Sequence, residues 1–255
     1  MKLTDNTVLI TGGSSGIGLE ISRQFLNRNN KVIITGRDEK KLQHAKQQLD
    51  GVAVIRNDVS NPDDVEKLYQ QAAANFPELN ILINNAGILR TLDLRDSDLS
   101  AADLTMEIDT NLKGTILMNN VFLPLLKRNN NPAIINVSSG LAFVPLPMTP
   151  VYCSTKAAIH SYSLSLRAQL RNTGVKVFEL APPLTETEMI GNFNEQDIRG
   201  VPVMSVDGMV ADFLKGLAKD EYEIRPGLAN QLKFMSRFFP GFILRQLNKS
   251  VDRLS

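Results

Sequence analysis

The chain holds one cysteine, Cys153, which excludes an internal disulfide and any CxxC metal or redox site. Its 28 basic and 27 acidic residues leave a net charge of +1, with no basic run. That balance gives no global pull toward nucleic acid or an anionic membrane. No apolar run approaches the ~20 residues of a membrane span. The best, "FFPGFIL" at 238–244, is far too short. The opening "MKLTDNTVLI" runs straight into an apolar stretch and lacks the charged segment, separate apolar segment and cleavage site of a signal peptide. The two histidines, His44 and His160, are far apart in sequence without ligand partners, so no metal is expected. These absences predict a cytoplasmic protein with no transmembrane segment and no nucleic-acid partner.

What is present is a rhythm. Short Val- and Ile-rich runs at 7–11, 31–35, 52–55, 80–86, 132–139 and 175–181 alternate with helix-length segments near 17–28, 39–49, 62–75, 101–129 and 152–172. Nearly continuous apolar strands, each followed by a helix, predict a parallel sheet covered on both faces. The expected fold is α/β: a single Rossmann-type doubly wound domain over 1–255, with about seven strands. Two segments break the rhythm. "LAFVPLPMTP" (141–150) carries three prolines, and 182–204 is long and irregular. Both lie beyond carboxyl ends of strands, where open α/β sheets bind ligands. The first reads as an apolar substrate wall and the second as a substrate lid.

"TGGSSGIG" (11–18) follows the first strand and opens a helix. Gly12, Gly16 and Gly18 allow a tight turn and close backbone approach, and the helix start offers free N–H groups to a phosphate. In this strand–loop–helix context the pattern predicts dinucleotide binding. After the second strand stands Arg37, where an acidic residue would bind the ribose hydroxyls of NAD. A guanidinium can grip a 2'-phosphate, so NADP(H) is favoured over NAD(H). Asp38 beside it either repels a phosphate or caps the next helix.

In "PVYCSTKAA", Tyr152 stands four places before Lys156. On a helix that is about 400° of rotation and roughly 6 Å of rise, so both side chains share a face. They can serve as a proton donor and the charge that tunes it. With the glycine loop, "NNAG" at 84–87, Ser139 and Tyr152-x-x-x-Lys156, the chain resembles the short-chain dehydrogenases/reductases over about residues 5–225. "SSGLAF", "PVYCSTKAA" and "ELAPP" look most like the bacterial subgroup encoded beside teichoic-acid D-alanylation genes. The resemblance implies a catalytic tetrad of Asn111, Ser139, Tyr152 and Lys156. It also implies cofactor contacts from Gly12, Ser14, Ser15, Gly16, Ile17 and Gly18, from Arg37, Asp58 and Val59, and from Asn85, Ala86 and Gly87. Tyr152, Lys156, Pro182 and Thr187 complete that set. Pro183 stands where the family has glycine, which stiffens the turn.

Reduction of a carbonyl needs a proton for the forming alkoxide. Tyr152 would give it, Lys156 would favour the phenolate, and Ser139 would hold the carbonyl oxygen. Ser138 is the rival serine, but neighbouring strand residues face opposite sides. Asn111 would orient a water that relays protons to Lys156, or else form a satisfied interface amide. The predicted activity is hydride transfer between NADP(H) and a small carbonyl or alcohol, with a non-catalytic NADP(H)-sensing regulator as the alternative. A stripe of Ser154, Ala158, Ser161 and Ser165 permits close helix approach. With the family's subunit pairing it implies a homodimer or homotetramer. The apolar, basic tail (226–255) would cover the substrate site, pair with another subunit or touch a membrane surface.

Overall fold

The computed structural model describes residues 1–193, 198 and 200–248. Residues 194–197 and 199 of the expected lid, and 249–255 of the tail, lie outside the described residues. The Val/Ile runs pair in parallel as one sheet in the order β3-β2-β1-β4-β5-β6-β7. The strands are β1 (Thr7–Thr11), β2 (Lys31–Gly36), β3 (Ala53–Arg56), β4 (Ile81–Asn84), β5 (Ala133–Val137), β6 (Lys176–Leu180) and β7 (Glu223–Ile224). The helices are α1 (Gly16–Leu26), α2 (Glu39–Gln48), α3 (Pro62–Asn75), α4 (Ala101–Glu107), α5 (Gly114–Leu126), α6 (Pro150–Leu170), α7 (Val206–Ala218), α8 (Leu228–Phe238) and α9 (Pro240–Asn248). This is the expected single-domain Rossmann-type fold.

Successive strand side chains point to opposite faces, and the core divides accordingly. Val8, Ile10, Ile34, Ile83 and Ile135 pack with Ile21 and Phe25 of α1 and Phe213 of α7. Leu9, Ile33, Leu82 and Ile134 pack with Leu68 of α3 and Phe122 of α5. Strand order reverses between β1 and β4, which opens a crevice at their carboxyl ends.

The elements depart from the sequence reading where side chains capture backbone. β4 stops at Asn84 because the N–H groups of Asn85 and Ala86 both donate to Thr11 Oγ1, at 3.0 Å each. β5 stops at Val137, and Ser139 caps a 3-10 turn, Gly140–Ala142. The long helix expected over 101–129 ends at Leu126 and is interrupted by a π-helical turn, Ile108–Lys113. α6 starts two residues earlier than expected, with Pro150 in its first turn, where a missing N–H costs nothing. α7 and the two-residue β7 complete the sheet's far edge. Among the described residues no helix is long and apolar enough to cross a membrane.

Candidate active site

The glycine loop joins β1 to α1 at the crevice. Gly12 has φ +64°, and a Cβ there would sit 2.9 Å from Ala86 Cα. A Cβ on Gly18 would lie 2.3 Å from the Gly12 carbonyl oxygen. Only glycine fits either position. Asn85 fastens the loop from β4's end, its Nδ2 donating to the carbonyls of Thr11 and Gly12 at 3.0 Å each. Ile17, in the first turn of α1, is partly buried and packs against the core. Ser15 is the N-cap of α1 but makes no side-chain cap bond, and the first turn has no acidic residue. The helix start therefore presents uncapped N–H groups and its positive dipole end, which fits a pyrophosphate. Thr187 stands across the cleft, its Cγ2 3.1 Å from where a Gly16 Cβ would be.

At the far end of β2, Arg37 is exposed and lines a cavity of about 220 Å³ with Ser60, Asp109 and Thr110. Asp38 is the cap: its Oδ1 accepts the N–H groups of Lys40 and Lys41 at 2.8 and 3.1 Å. Its carboxylate is thereby drawn toward α2. Arg56 at the end of β3 donates from Nε to the Arg37 carbonyl at 3.2 Å, which brings a second guanidinium to this corner. Ser14 Oγ sits against Gly36, 3.4 Å from the position of a Cβ there. Asp58 is partly held by Ser60, whose N–H and hydroxyl donate to its Oδ1 at 2.9 and 2.7 Å. Val59 is buried against Gly114. Arg56 stands 19 residues from Arg37 in sequence, and the pairing of β2 with β3 brings them together.

α6 brings Tyr152 and Lys156 to the crevice together. Both are buried, and Lys156 Nζ lies 5.6 Å from the Tyr152 ring centre. Nζ donates to the Val137 carbonyl at 2.9 Å. Burial pulls the Lys156 amine from its ordinary 10.5 down to about 8. Burial drives the Tyr152 phenol well above its ordinary value, and a hydrogen bond with Ser139 offsets part of that. In this arrangement desolvation outweighs any lowering by the ammonium, so Tyr152 is a protonated phenol near neutrality. Ser139 Oγ accepts the Leu141 N–H at 3.1 Å, which fixes it beside Tyr152. Ser138 points the other way: its hydroxyl donates to Glu179 Oε1 on β6 at 2.5 Å. Both serines lie beyond the end of β5, Ser138 turned toward β6 and Ser139 toward Tyr152. Pro182, after β6, accepts the Gly140 N–H at 2.8 Å and ties the loop that follows β6 to the serine turn.

Asn111 lies in the π turn and is buried. Its Oδ1 accepts the Ile88 N–H at 2.9 Å, and its Nδ2 donates to the Ile88 carbonyl at 2.9 Å and to Thr155 Oγ1 at 3.2 Å. Its side chain is thus committed to bracing the segment after β4 against α6, and its carbonyl accepts the Thr115 hydroxyl at 2.8 Å. A Cβ on Gly87 would lie 3.4 Å from both Asn111 Oδ1 and Lys156 Nζ, so these three converge.

Two groups escaped the sequence reading. Glu107 is fully buried at the end of α4, and its Oε1 accepts the Arg90 N–H at 3.0 Å. Its Oε2 makes no hydrogen bond within the protein. Burial raises its carboxyl, and its charge acts on Tyr152 and Cys153. The available signal was a glutamate one helical turn before Asn111. His160, read as bland, meets Glu179 Oε2 at 2.7 Å, with Glu223 nearby. Lys233 and Arg225 already hold Glu223, so this cluster is an ion-pair network. Leu141, Leu146, Met189 and Phe193 pack around Leu89, Tyr152 and Cys153 as an apolar wall.

Residues 6–198 match the family model described as short chain dehydrogenase. The chain is 41% identical over 250 residues to the uncharacterized oxidoreductase DltE of Bacillus subtilis (strain 168), covering 97% of this chain and 98% of that one. This bears out the subgroup resemblance. It is 34% identical over 197 residues to an uncharacterized oxidoreductase of Staphylococcus aureus (strain USA300), covering 76% and 84%. Among solved structures, a short chain dehydrogenase from Burkholderia cenocepacia J2315 in complex with NADP superposes with a TM-score of 0.84 at 26% identity, covering 97% and 99%. A 3-ketoacyl-(acyl-carrier-protein) reductase from Brucella melitensis complexed with NADH gives 0.77 at 26% identity, covering 85% and 91%. With its glycine loop, Tyr–Lys pair and sheet order already in place, the chain belongs to the short chain dehydrogenase family and is an NAD(P)-dependent dehydrogenase/reductase.

Proposed function

We propose that the enzyme transfers a hydride between NADP(H) and an apolar carbonyl or alcohol, with Tyr152 as acid/base. The observation that carries this reading is the buried corner where Ser139, Tyr152 and Lys156 meet. The dinucleotide supplies or takes up the hydride. Tyr152, kept protonated by burial, gives its proton to the forming alkoxide. Ser139 has one lone pair engaged by the Leu141 N–H and shares a hydrogen bond with Tyr152, so the two hydroxyls converge on one point and can turn together onto a carbonyl oxygen placed there. An ammonium has three donors; Lys156 spends one on Val137, leaving two for the ribose and for the charge that develops on Tyr152. Asn111 acts as a positioning residue through Ile88 and Thr155.

Arg37, the adjacent Arg56 and the capping turn of Asp38 support NADP(H) over NAD(H). Asp58 and Val59 would meet the adenine. Pro182 and Thr187 would meet the nicotinamide, with the described part of 182–204 as a lid. The wall of Leu89, Leu141, Leu146, Met189 and Phe193 supports an apolar substrate. The unpaired Cys153 fits a cytoplasmic location. Ser154, Ser161 and Ser165 face solvent with Leu164, so the small-residue stripe is available to a second subunit, which supports a homo-oligomer.

The test is an NADPH-consumption screen against ketones, aldehydes, steroids, sugars and acyl ketones, repeated with Tyr152→Phe. Loss of the phenol should lower turnover about 10²- to 10⁴-fold while cofactor binding persists. Undiminished turnover in the variant would refute the acid/base role.

A further inference from the structure

The near-zero net charge of the chain hides a local asymmetry at its C-terminal end. From Arg225 to Val251 there is no Asp or Glu, while Arg225, Lys233, Arg237, Arg245 and Lys249 are basic. The same segment carries the densest exposed aromatic patch of the described residues. Phe234, Phe238, Phe239 and Phe242 are each more than half exposed. Phe234 lies 4.7 Å from Phe238 and 6.5 Å from Phe239, ring centre to ring centre, so three of the rings form one cluster. Scattered apolar residues on a surface are ordinary, but a contiguous patch marks an interaction site.

We propose that α8 and α9 dock this patch on the surface of an anionic lipid bilayer. The inner face of α8 is already committed. Ala229 is buried, Leu232 and Ala229 pack on Gly140, and Lys233 pairs with Glu223. The phenylalanines therefore cannot turn inward without dismantling the serine turn. On each helix a phenylalanine is followed three residues later by an arginine, Phe234 by Arg237 and Phe242 by Arg245. Residues three apart share a helix face. Both arginines are exposed, and neither has a carboxylate partner among the described residues. Aromatic rings flanked by cations on one face are what an interfacial helix needs, rings at the acyl boundary and guanidinium groups at the headgroup phosphates. A second copy of the chain fits less well. Symmetric pairing of this patch would set Arg237 and Arg245 against their own kind, with no acidic residue in the segment to neutralise them.

The test uses the full chain without cofactor, so it stands apart from the proposed reaction. The chain contains no tryptophan, so Phe238→Trp places a single fluorophore in the patch. Leu94→Trp places one at an exposed site outside the tail. Vesicles of phosphatidylcholine with phosphatidylglycerol should pellet the unsubstituted protein and shift the emission of Trp at 238, but not at 94, to the blue. Omitting the anionic lipid, or combining Arg237→Ala with Arg245→Ala, should weaken binding about 30-fold, set by two surface cations. Failure of the unsubstituted protein to pellet with anionic vesicles overturns the proposal. So does an equal shift at both positions, or an oligomer that falls apart on Phe238→Ala, which would assign the patch to a second subunit.

Discussion

Replacing Lys156 by methionine should alter stability in a way that depends on pH. The buried amine has its proton affinity lowered from 10.5 to about 8, so below pH 8 the folded state carries a charge that burial disfavours. At about 1.36 kcal/mol per unit, that charge costs the fold roughly 3 kcal/mol at neutral pH. Methionine of similar length removes this cost. It also removes the hydrogen bond to the Val137 carbonyl, worth about 1.5–3 kcal/mol when the donor is charged. Lys156→Met should therefore be neutral to slightly stabilising at pH 7. The sign of the pH effect follows from proton counts. Between pH 8 and 10 the unfolded lysine holds a proton that the folded one has released, so wild-type stability rises with pH. Over those two units the wild type should gain about 2 kcal/mol relative to the variant, because the folded amine is still half protonated at pH 8. Tyr152, whose phenol is shifted upward in the fold, is present in both proteins, so its own effect near pH 10 cancels in the comparison. Urea unfolding of both cofactor-free proteins at pH 7, 8, 9 and 10 measures the difference. Parallel stability curves would show that the amine is hydrated in the fold and that the burial argument is wrong.

Arg37→Ala should weaken NADPH binding about 10- to 100-fold, the loss of one charge-assisted phosphate contact, with NADH changed only a few-fold. Fluorescence titration with both cofactors checks this, and an unchanged preference for NADH would remove Arg37 from cofactor selection. Light scattering at assay concentration should give a dimer or tetramer mass. Leu164→Glu, a charge set beside the small-residue stripe, should reduce it to a monomer; a monomeric wild type would end the idea.

The sheet was legible because apolar runs buried on both faces leave little choice of element, as in "TVLIT" and "KVIIT". The glycine loop and the Tyr152–Lys156 pair were legible because each is local: one turn, or one helical repeat. What stayed hidden depends on side chains reaching across the fold. The π turn at Asn111 has no periodicity signal, since one extra residue in a turn leaves the apolar spacing nearly intact. Arg56 and Glu107 enter the site region only through strand pairing and helix packing. His160 looked isolated because its partners, Glu179 and Glu223, come from two neighbouring strands. The opposed roles of Ser138 and Ser139 could be stated as a rule of alternation. Which serine faced Tyr152 was fixed by Glu179 drawing the other away.

The contact of Ala229 and Leu232 with Gly140 has a consequence for how the protein is made. Gly140 is translated well before Ala229 and Leu232, which back it. While those two residues are still in the ribosome's exit tunnel, the first six strands can already pair outside it. The turn that follows Ser139 lacks its support until Ala229 and Leu232 emerge, so the sheet is assembled before this turn is held.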